Sequence, residues 1–185
     1  MKILICDKLD KITLEELQKI GNCIDVSEEK KKKEKIIENI VDAEVVLVRS
    51  DTQINKELID ISENLQIIGR SGVGTDNIDL VEASARNIHV TNTPEANVIS
   101  AAELTVGLII SAARNITVAN NSVKKSQWER SQFMGIELHK KQLGLIGFGK
   151  VAKLVSKRMK SFDMKIVFFD PFIDSSTEEE EKMDL

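Results

Sequence analysis

Short β-branched runs alternate with helical stretches along the first ninety residues, and this alternation constrains the fold more than any other feature. KILICD (2–7) reads as a buried strand, CIDV (23–26) as a short strand, EVVLVRS as a continuous apolar strand ending at Arg49, and QIIGR ending at Arg70 and NIHVTN as two further strands. A strand that is apolar on both sides is buried on both faces. Parallel neighbours need a crossover between them, and the intervening segments supply helices. Ile12 to Ile20 reads as a helix with Thr13 as N-cap and Glu16 three residues on. SEEKKKKEKIIENI, Lys56 to Ser62 and NIDLVEASAR supply the others, and the lysine run reads as a solvated face. The expected architecture is a parallel α/β sheet covered on both faces.

Pro94 ends this series, and a domain boundary is placed near residue 98, giving segments 1–98 and 99–185. Ser100-Ala-Ala-Glu103 has the form of a capping box, opening an apolar helix to about Val118. Asn120 to Lys141 is polar, with a lone Trp128. A second α/β start follows: strand QLGLIG, a glycine turn, helix Lys150 to Ser161 and strand KIVFFD. The last twelve residues, DSSTEEEEKMDL, read as a solvated tail or as a helix start capped by Thr177. Nothing there reads as a third strand, so the VFF run of the preceding strand is expected to remain an unpaired apolar edge.

Composition removes several function classes. Twenty-six Lys and Arg against 30 Asp and Glu leave a net charge of -4, unlike the basic surface of a non-specific nucleic-acid binder. No apolar run approaches the ~18 residues of a membrane helix. Cys6 and Cys23 are too few for a disulfide scaffold, so a reducing cytoplasm is the expected compartment, and both read as small buried hydrophobes. No metal-ligating set is read.

The strongest local signal is Gly147-Phe148-Gly149-Lys150-Val151-Ala152, between a strand and a helix, with Asp170 ending the next strand. Gly147 permits the tight turn, Gly149 lets a pyrophosphate approach the backbone, and Ala152 keeps helix and strand close. The helix N-terminus offers free N–H groups to phosphates. Asp170 can accept from both hydroxyls of an adenosine ribose, and its charge opposes a 2′-phosphate, so the expected cofactor is NAD rather than NADP. A second glycine turn, Gly69-Arg70-Ser71-Gly72-Val73-Gly74-Thr75-Asp76-Asn77, could converge N–H groups on a small carboxylate beside Arg70. The alternative is a tight turn with Asp76 as helix cap and Arg70 as a surface ion pair. Arg49 sits at another parallel strand end, where ligands of open α/β sheets gather. His89 reads as structural and His139 as exposed. Neither has a local carboxylate pattern that would make it a general base.

VRSDTQI, LQIIGRSGVGTDNIDL, VTNTPEANVISAAELTVGLII, WERSQFMGIEL and GLIGFGKVAKLVSKRMKSFDMKIVFFDP together resemble the D-isomer-specific 2-hydroxyacid dehydrogenases over residues 1 to about 173. The WER…FMG…EL segment points to the phosphoglycerate branch. The resemblance implies a flavodoxin-like substrate domain followed by the first part of a Rossmann-type NAD-binding domain, with the helix from Ser100 as hinge. It implies that Lys150 and Val151 meet the cofactor phosphates through their backbone and that Asp170 holds the ribose. Val73 and Asn97 would border the nicotinamide. Gly72, Val73 and Gly74 would hold the substrate carboxylate through N–H groups, with Arg49 and Arg70 supplying positive charge and Arg49 nearer the phosphate. A homodimer through the Ser100 helix and the Trp128–Arg130 segment is implied. The implied reaction is oxidation of 3-phosphoglycerate to 3-phosphohydroxypyruvate by NAD. Glyoxylate or hydroxypyruvate reduction, or a non-catalytic dimerising NAD-binding role, are the alternatives. The family's catalytic histidine, glutamate and arginine match no residue here. The chain is therefore expected to be an incomplete part of a longer enzyme and inactive alone.

Overall fold

The structure is a computed structural model that describes residues 1–173 and 180–183. The chain divides into two compact units, Met1–Ala96 and Asn97–Leu185.

The first unit is a five-stranded parallel sheet. Its strands are β1 (Lys2–Ile5), β2 (Asn22–Asp25), β3 (Val45–Val48), β4 (Ile67–Arg70) and β5 (His89–Asn92), in the order β2-β1-β3-β4-β5. That is the doubly wound order of flavodoxin-like sheets. Helices α1 (Lys11–Ile20), α2 (Lys32–Ile40), α3 (Lys56–Ile61) and α4 (Leu80–Ala85) make the crossovers. Leu4, Val46, Val48 and Ile68 pack with Ile36, Ile40 and Ile59 on one face, while Ile3, Ile5 and Val45 pack with Leu14 and Leu17 on the other. Two-sided burial is why the central strands β1 and β3 read as apolar runs, whereas the edge strands β2 and β5 are partly exposed. Cys6 is fully buried in this core, and burial first, with Asp7 beside it, pushes its thiol up to about 12. Cys23 is only half-buried.

Two helix starts differ from expectation. Asp10, not Thr13, caps α1: its Oδ1 accepts from the Thr13 N–H at 3.0 Å and its Oδ2 from the Thr13 hydroxyl at 2.6 Å. A carboxylate three residues earlier outcompetes the hydroxyl because it accepts both bonds. Asp79, not Asp76, caps α4, accepting from the Glu82 N–H.

The second unit opens with α5 (Val98–Ala113), which starts two residues before the expected capping box. Ser100 is already inside the helix, and its hydroxyl donates to the Asn97 carbonyl. The helix stops short of Val118. Asn115 is left-handed (φ 55°) and a new helix, α6 (Ile116–Lys124), begins at 66° to the first. Gly135 explains the tight approach of the returning chain, since a Cβ there would lie 2.3 Å from the Ala113 carbonyl oxygen. Among the described residues, no single helix is long and apolar enough to cross a membrane.

The unit's sheet contains β6 (Gln142–Ile146), β7 (Lys165–Phe169) and β8 (Glu180–Lys182), all parallel, with α7 (Lys150–Lys160) between the first two. The third strand corrects the sequence reading: β7 is paired, with Ile166 opposite Glu180 and Phe168 opposite Lys182. Its side chains gave no apolar signal because α7 holds it by polar contacts. Glu180 accepts from the Ser156 hydroxyl at 2.7 Å and pairs with Lys160. Thr177 lies outside the described residues.

Candidate functional site

Each unit brings one glycine turn to the carboxyl end of its sheet. In the second unit the turn follows β6. Gly147 has φ +86°, a conformation that L side chains rarely adopt. Phe148 is buried and stacks on Phe168 of β7, with ring centroids 4.1 Å apart. The turn is thus nailed to the core by its middle residue, a role that the glycine pattern alone did not reveal. Gly149 caps α7 with no side-chain bond, and a Cβ on Gly149 would meet no atom within 4 Å. The open volume over a helix N-terminus is where a pyrophosphate fits.

Asp170 closes the turn from the other side. Its Oδ2 accepts from the Phe148 N–H at 2.7 Å and its Oδ1 from the Phe172 N–H at 2.8 Å. These two N–H groups, Phe148 first, hold the carboxyl below its ordinary range, so it is ionised at neutral pH. Each oxygen keeps a lone pair for an outside donor. Lys150, Val151 and Ala152 form the first turn of α7. Asn97, the N-terminal flank of α5, is exposed.

In the first unit Arg49 and Arg70 stand at neighbouring strand ends, since Val48 is in register with Arg70. They differ sharply in setting. Arg49 is exposed, whereas Arg70 is 9% exposed, so the surface-arginine reading fails for Arg70. Its Nε donates to the Arg49 carbonyl at 3.4 Å, and its terminal nitrogen lies 3.4 Å from Asp76. A Cβ on Gly74 would stand 2.7 Å from both the Arg70 nitrogen and the Asp76 oxygen, so one of these side-chain ends would have to give way to it. The Gly72 N–H is already committed to the Arg70 carbonyl at 2.9 Å, so it is not part of an open N–H cradle. The N–H groups of Val73 and Gly74 have no acceptor among the described residues. Those two N–H groups can donate to an acceptor from outside the turn. Asn92 fixes the turn by donating to the Val73 carbonyl at 2.6 Å.

Two residues around Arg49 were missed from the sequence. Asp7, just past β1 and 2% exposed, accepts from the Arg49 N–H at 2.6 Å, the Thr52 N–H at 3.2 Å, the Thr52 hydroxyl at 2.6 Å and Lys32 at 2.6 Å. Burial pushes its carboxyl up, but the bonds from Lys32, Thr52 and Arg49 together outweigh that and hold it below the ordinary range. Lys32 belonged to the run read as a solvated face. Asn77, 2% exposed, donates from one amide nitrogen to the Arg49 carbonyl at 2.7 Å and to the Thr52 carbonyl at 2.6 Å. Its buried Oδ1 has no partner among the described residues, a cost of about 1–3 kcal/mol. The signal available was positional: Asp7 and Arg49 follow β1 and β3, which flank the switch point of this strand order.

His89 is exposed on β5. His139 is exposed too, and the fold gives it a carboxylate that local sequence did not, with Nδ1 3.1 Å from Asp163. Trp128 is 71% exposed, with the Arg130 guanidinium 5.7 Å from its ring centroid. Among the described residues no group of three His, Cys, Asp or Glu could hold a metal.

Residues 3–183 match the family described as D-isomer specific 2-hydroxyacid dehydrogenase, catalytic domain. The chain belongs to that family. It is 44% identical over 173 residues to D-3-phosphoglycerate dehydrogenase of Methanocaldococcus jannaschii, covering 94% of this chain and 33% of the relative. It therefore spans about a third of the length of the curated relatives it matches. Among solved structures, the TT0316 protein of Thermus thermophilus superposes with a TM-score of 0.91 at 24% identity, over 99% of this chain and 60% of that one. NAD-dependent formate dehydrogenase of Staphylococcus aureus, in complex with NAD, superposes with a TM-score of 0.85 at 22% identity, over 100% and 60%. At these identities the two superpositions establish the fold, parallel α/β with a Rossmann-like second unit.

Proposed function

We propose that this chain supplies the substrate domain and the phosphate- and ribose-binding half of the cofactor site of an NAD-dependent 3-phosphoglycerate dehydrogenase. The observation that carries the reading is the glycine turn of the second unit: a left-handed Gly147, an open Gly149 at a helix N-terminus, and an ionised Asp170 tied to the same turn. The strong match to D-3-phosphoglycerate dehydrogenases supports the substrate.

In this reading the α7 N-terminus, through Gly149, Lys150 and Val151, takes the pyrophosphate. Asp170 accepts from the two ribose hydroxyls and repels a 2′-phosphate, which favours NAD over NADP. The nicotinamide ring, when bound, is the acceptor of the hydride from C2. Val73 and Asn97 border that ring. The Val73 and Gly74 N–H groups hold the substrate carboxylate, Arg70 adds a fixed cation, and Arg49 faces the 3-phosphate. The substrate loses a hydride from C2 and a proton from its hydroxyl, leaving a ketone. No residue among these 185 is assigned as the proton acceptor, so this chain alone binds and orients without turning over. Its partners are the small anionic 2-hydroxy acid and a second copy of the chain, and its compartment is the cytoplasm.

The test is calorimetric titration of the 185-residue chain with NAD and with NADP. The expected result is saturable NAD binding and at least tenfold weaker NADP binding. Equal affinities, or no heat with either, would overturn the cofactor assignment.

A further inference from the structure

We infer that Asp7 and Asn77 are positioning residues that clamp the Arg49–Thr52 segment and thereby set the chain's preference for a phosphorylated substrate. The inference rests on the reading of Arg49 as the phosphate contact. Arg49 is exposed, yet its backbone is held at both ends of its peptide units. Its N–H donates to Asp7 and its carbonyl accepts from Asn77 and Arg70. Thr52 is gripped in the same way: its N–H and hydroxyl donate to Asp7, and its carbonyl accepts from Asn77. Two side chains from different loops, after β1 and before α4, therefore close both ends of one four-residue turn.

Folding alone does not call for this arrangement. An apolar residue at position 7 would extend the buried run of β1, and a buried carboxylate carries a desolvation penalty that ion pairing only partly offsets. Lys32 and three other donors are spent on keeping it ionised. Asn77 is kept buried although its Oδ1 goes unpartnered among the described residues. What both groups achieve is a fixed backbone under one exposed arginine at the switch point. The clamp also joins the two anion-binding parts, because Arg70, beside the Val73–Gly74 turn, donates to the same Arg49 carbonyl that Asn77 holds. Carboxylate and phosphate positions are then set at a fixed spacing, which is what discriminates a phosphorylated hydroxy acid from its unphosphorylated analogue.

The test uses the 185-residue chain, with 3-phosphoglycerate and D-glycerate as probes. Asp7→Asn and Asn77→Ala are compared with the unaltered chain and with Arg49→Ala, each first shown to melt cooperatively. The ratio of the two affinities is the readout, because general loosening weakens both probes together. The expected result is a loss of about tenfold in the ratio for both clamp variants, which is ~1.4 kcal/mol, with Arg49→Ala losing at least as much. If Asp7→Asn does not fold, Asn77→Ala and Thr52→Val carry the comparison. An unchanged ratio in folded clamp variants, beside a lost ratio in Arg49→Ala, overturns the clamp and leaves the reading of Arg49 standing. An unchanged ratio in Arg49→Ala overturns both. If the unaltered chain binds neither probe, the substrate reading falls, and amide exchange then decides the clamp. The Asn77 side chain bonds only to carbonyls among the described residues, so faster exchange of the Arg49 and Thr52 N–H groups in Asn77→Ala supports it. Unaltered exchange overturns it.

Discussion

The Phe148 N–H donates to the Asp170 carboxylate across 2.7 Å, so the acid that would read the ribose also holds the turn that would carry the phosphates. Phe148 in turn stacks on Phe168, two residues before Asp170. The binding determinants of the second unit are therefore mechanically one piece. Asp170→Ala is expected to weaken NAD binding at least tenfold and to erase the discrimination against NADP. Asp170→Asn should recover part of the NAD affinity but not the discrimination. Titrations with both nucleotides check this, and a variant that still rejects NADP would refute it.

The same carboxylate sets a pH dependence. Its folded value is depressed by the Phe148 and Phe172 N–H groups. A depressed acid contributes stability above its unfolded value of about 3.9, and loses it as pH falls through the folded value. Asp170 therefore stays ionised through the physiological range, and NAD affinity is expected to be flat from about pH 8 to pH 5 as far as this group decides it. Loss of affinity between those values, without unfolding, would show that the acid titrates higher than its bonds allow.

Gly147 and Gly149 should separate stability from binding. Gly147 is left-handed, so Gly147→Ala is strained although no neighbour is near; the expected loss is about 1–2 kcal/mol. Gly149 has φ -77° and ψ -166°, which any residue adopts, so Gly149→Ala should leave the melt within about 0.5 kcal/mol. Its new methyl would occupy the open volume over the α7 N-terminus, and NAD binding should be lost. Denaturant melts and titrations on both variants decide it, and the reverse pattern would remove Gly149 from the phosphate site.

Asp7 should dominate acid sensitivity in the first unit. Lys32, 29% exposed, is its cationic partner, and Cys6 and Asp25 are the other titratable groups nearby. Because its folded value is lowered, its contribution is complete above about pH 5, begins to shrink below the unfolded value of about 3.9 and is lost as pH falls through the folded value. Asp7→Asn is expected to cost about 2–4 kcal/mol at pH 7, less than a fully buried pair because Lys32 reaches solvent. The gap should narrow in melts at about pH 3.5. A constant gap would mean that shape, not charge, is what position 7 provides.

What the sequence disclosed, and what it withheld, divides along physical lines. The central strands of the first sheet were legible because burial on both faces writes an apolar run, and the half-exposed edge strands β2 and β5 were legible from their place in the alternation. The parallel sheet followed from alternation, the flavodoxin-like order only from the family resemblance, and the Gly147 turn from its spacing to Asp170. The strand Glu180–Lys182 was not legible, since its ladder uses backbone groups and its side chains answer to Ser156 and Lys160, twenty or more residues away. Asp7 and Asn77 were hidden for a related reason. A buried polar residue is recognised by its partners, and those of Asp7 lie 25 to 45 positions along the chain. Arg70 looked like Arg49 in sequence, and only the fold shows that one is buried and the other exposed.

Helix α5 supplies the remaining prediction. It is apolar nearly all round, yet within its own unit one stripe alone is covered: Ala102 is buried, and Val106 and Ile109 pack with it in the cluster that includes Val155 and Met159 of α7. Leu104 and Leu108, one helical turn apart, are 65% and 60% exposed. A stripe of this kind on a surface helix marks an association site. With a second copy as the expected occupant, the chain should sediment as a dimer. Leu104→Lys with Leu108→Lys should give a monomer, because two ammonium groups cannot be buried against their own symmetry mates without partners. The α5–α7 packing uses the opposite stripe, so the helical content and the cooperative melt of the monomeric variant should persist. Sedimentation velocity on both proteins checks the assignment. A variant that still dimerises would place the interface away from Leu104 and Leu108, and the exposed Trp128 segment would then be the next surface to alter.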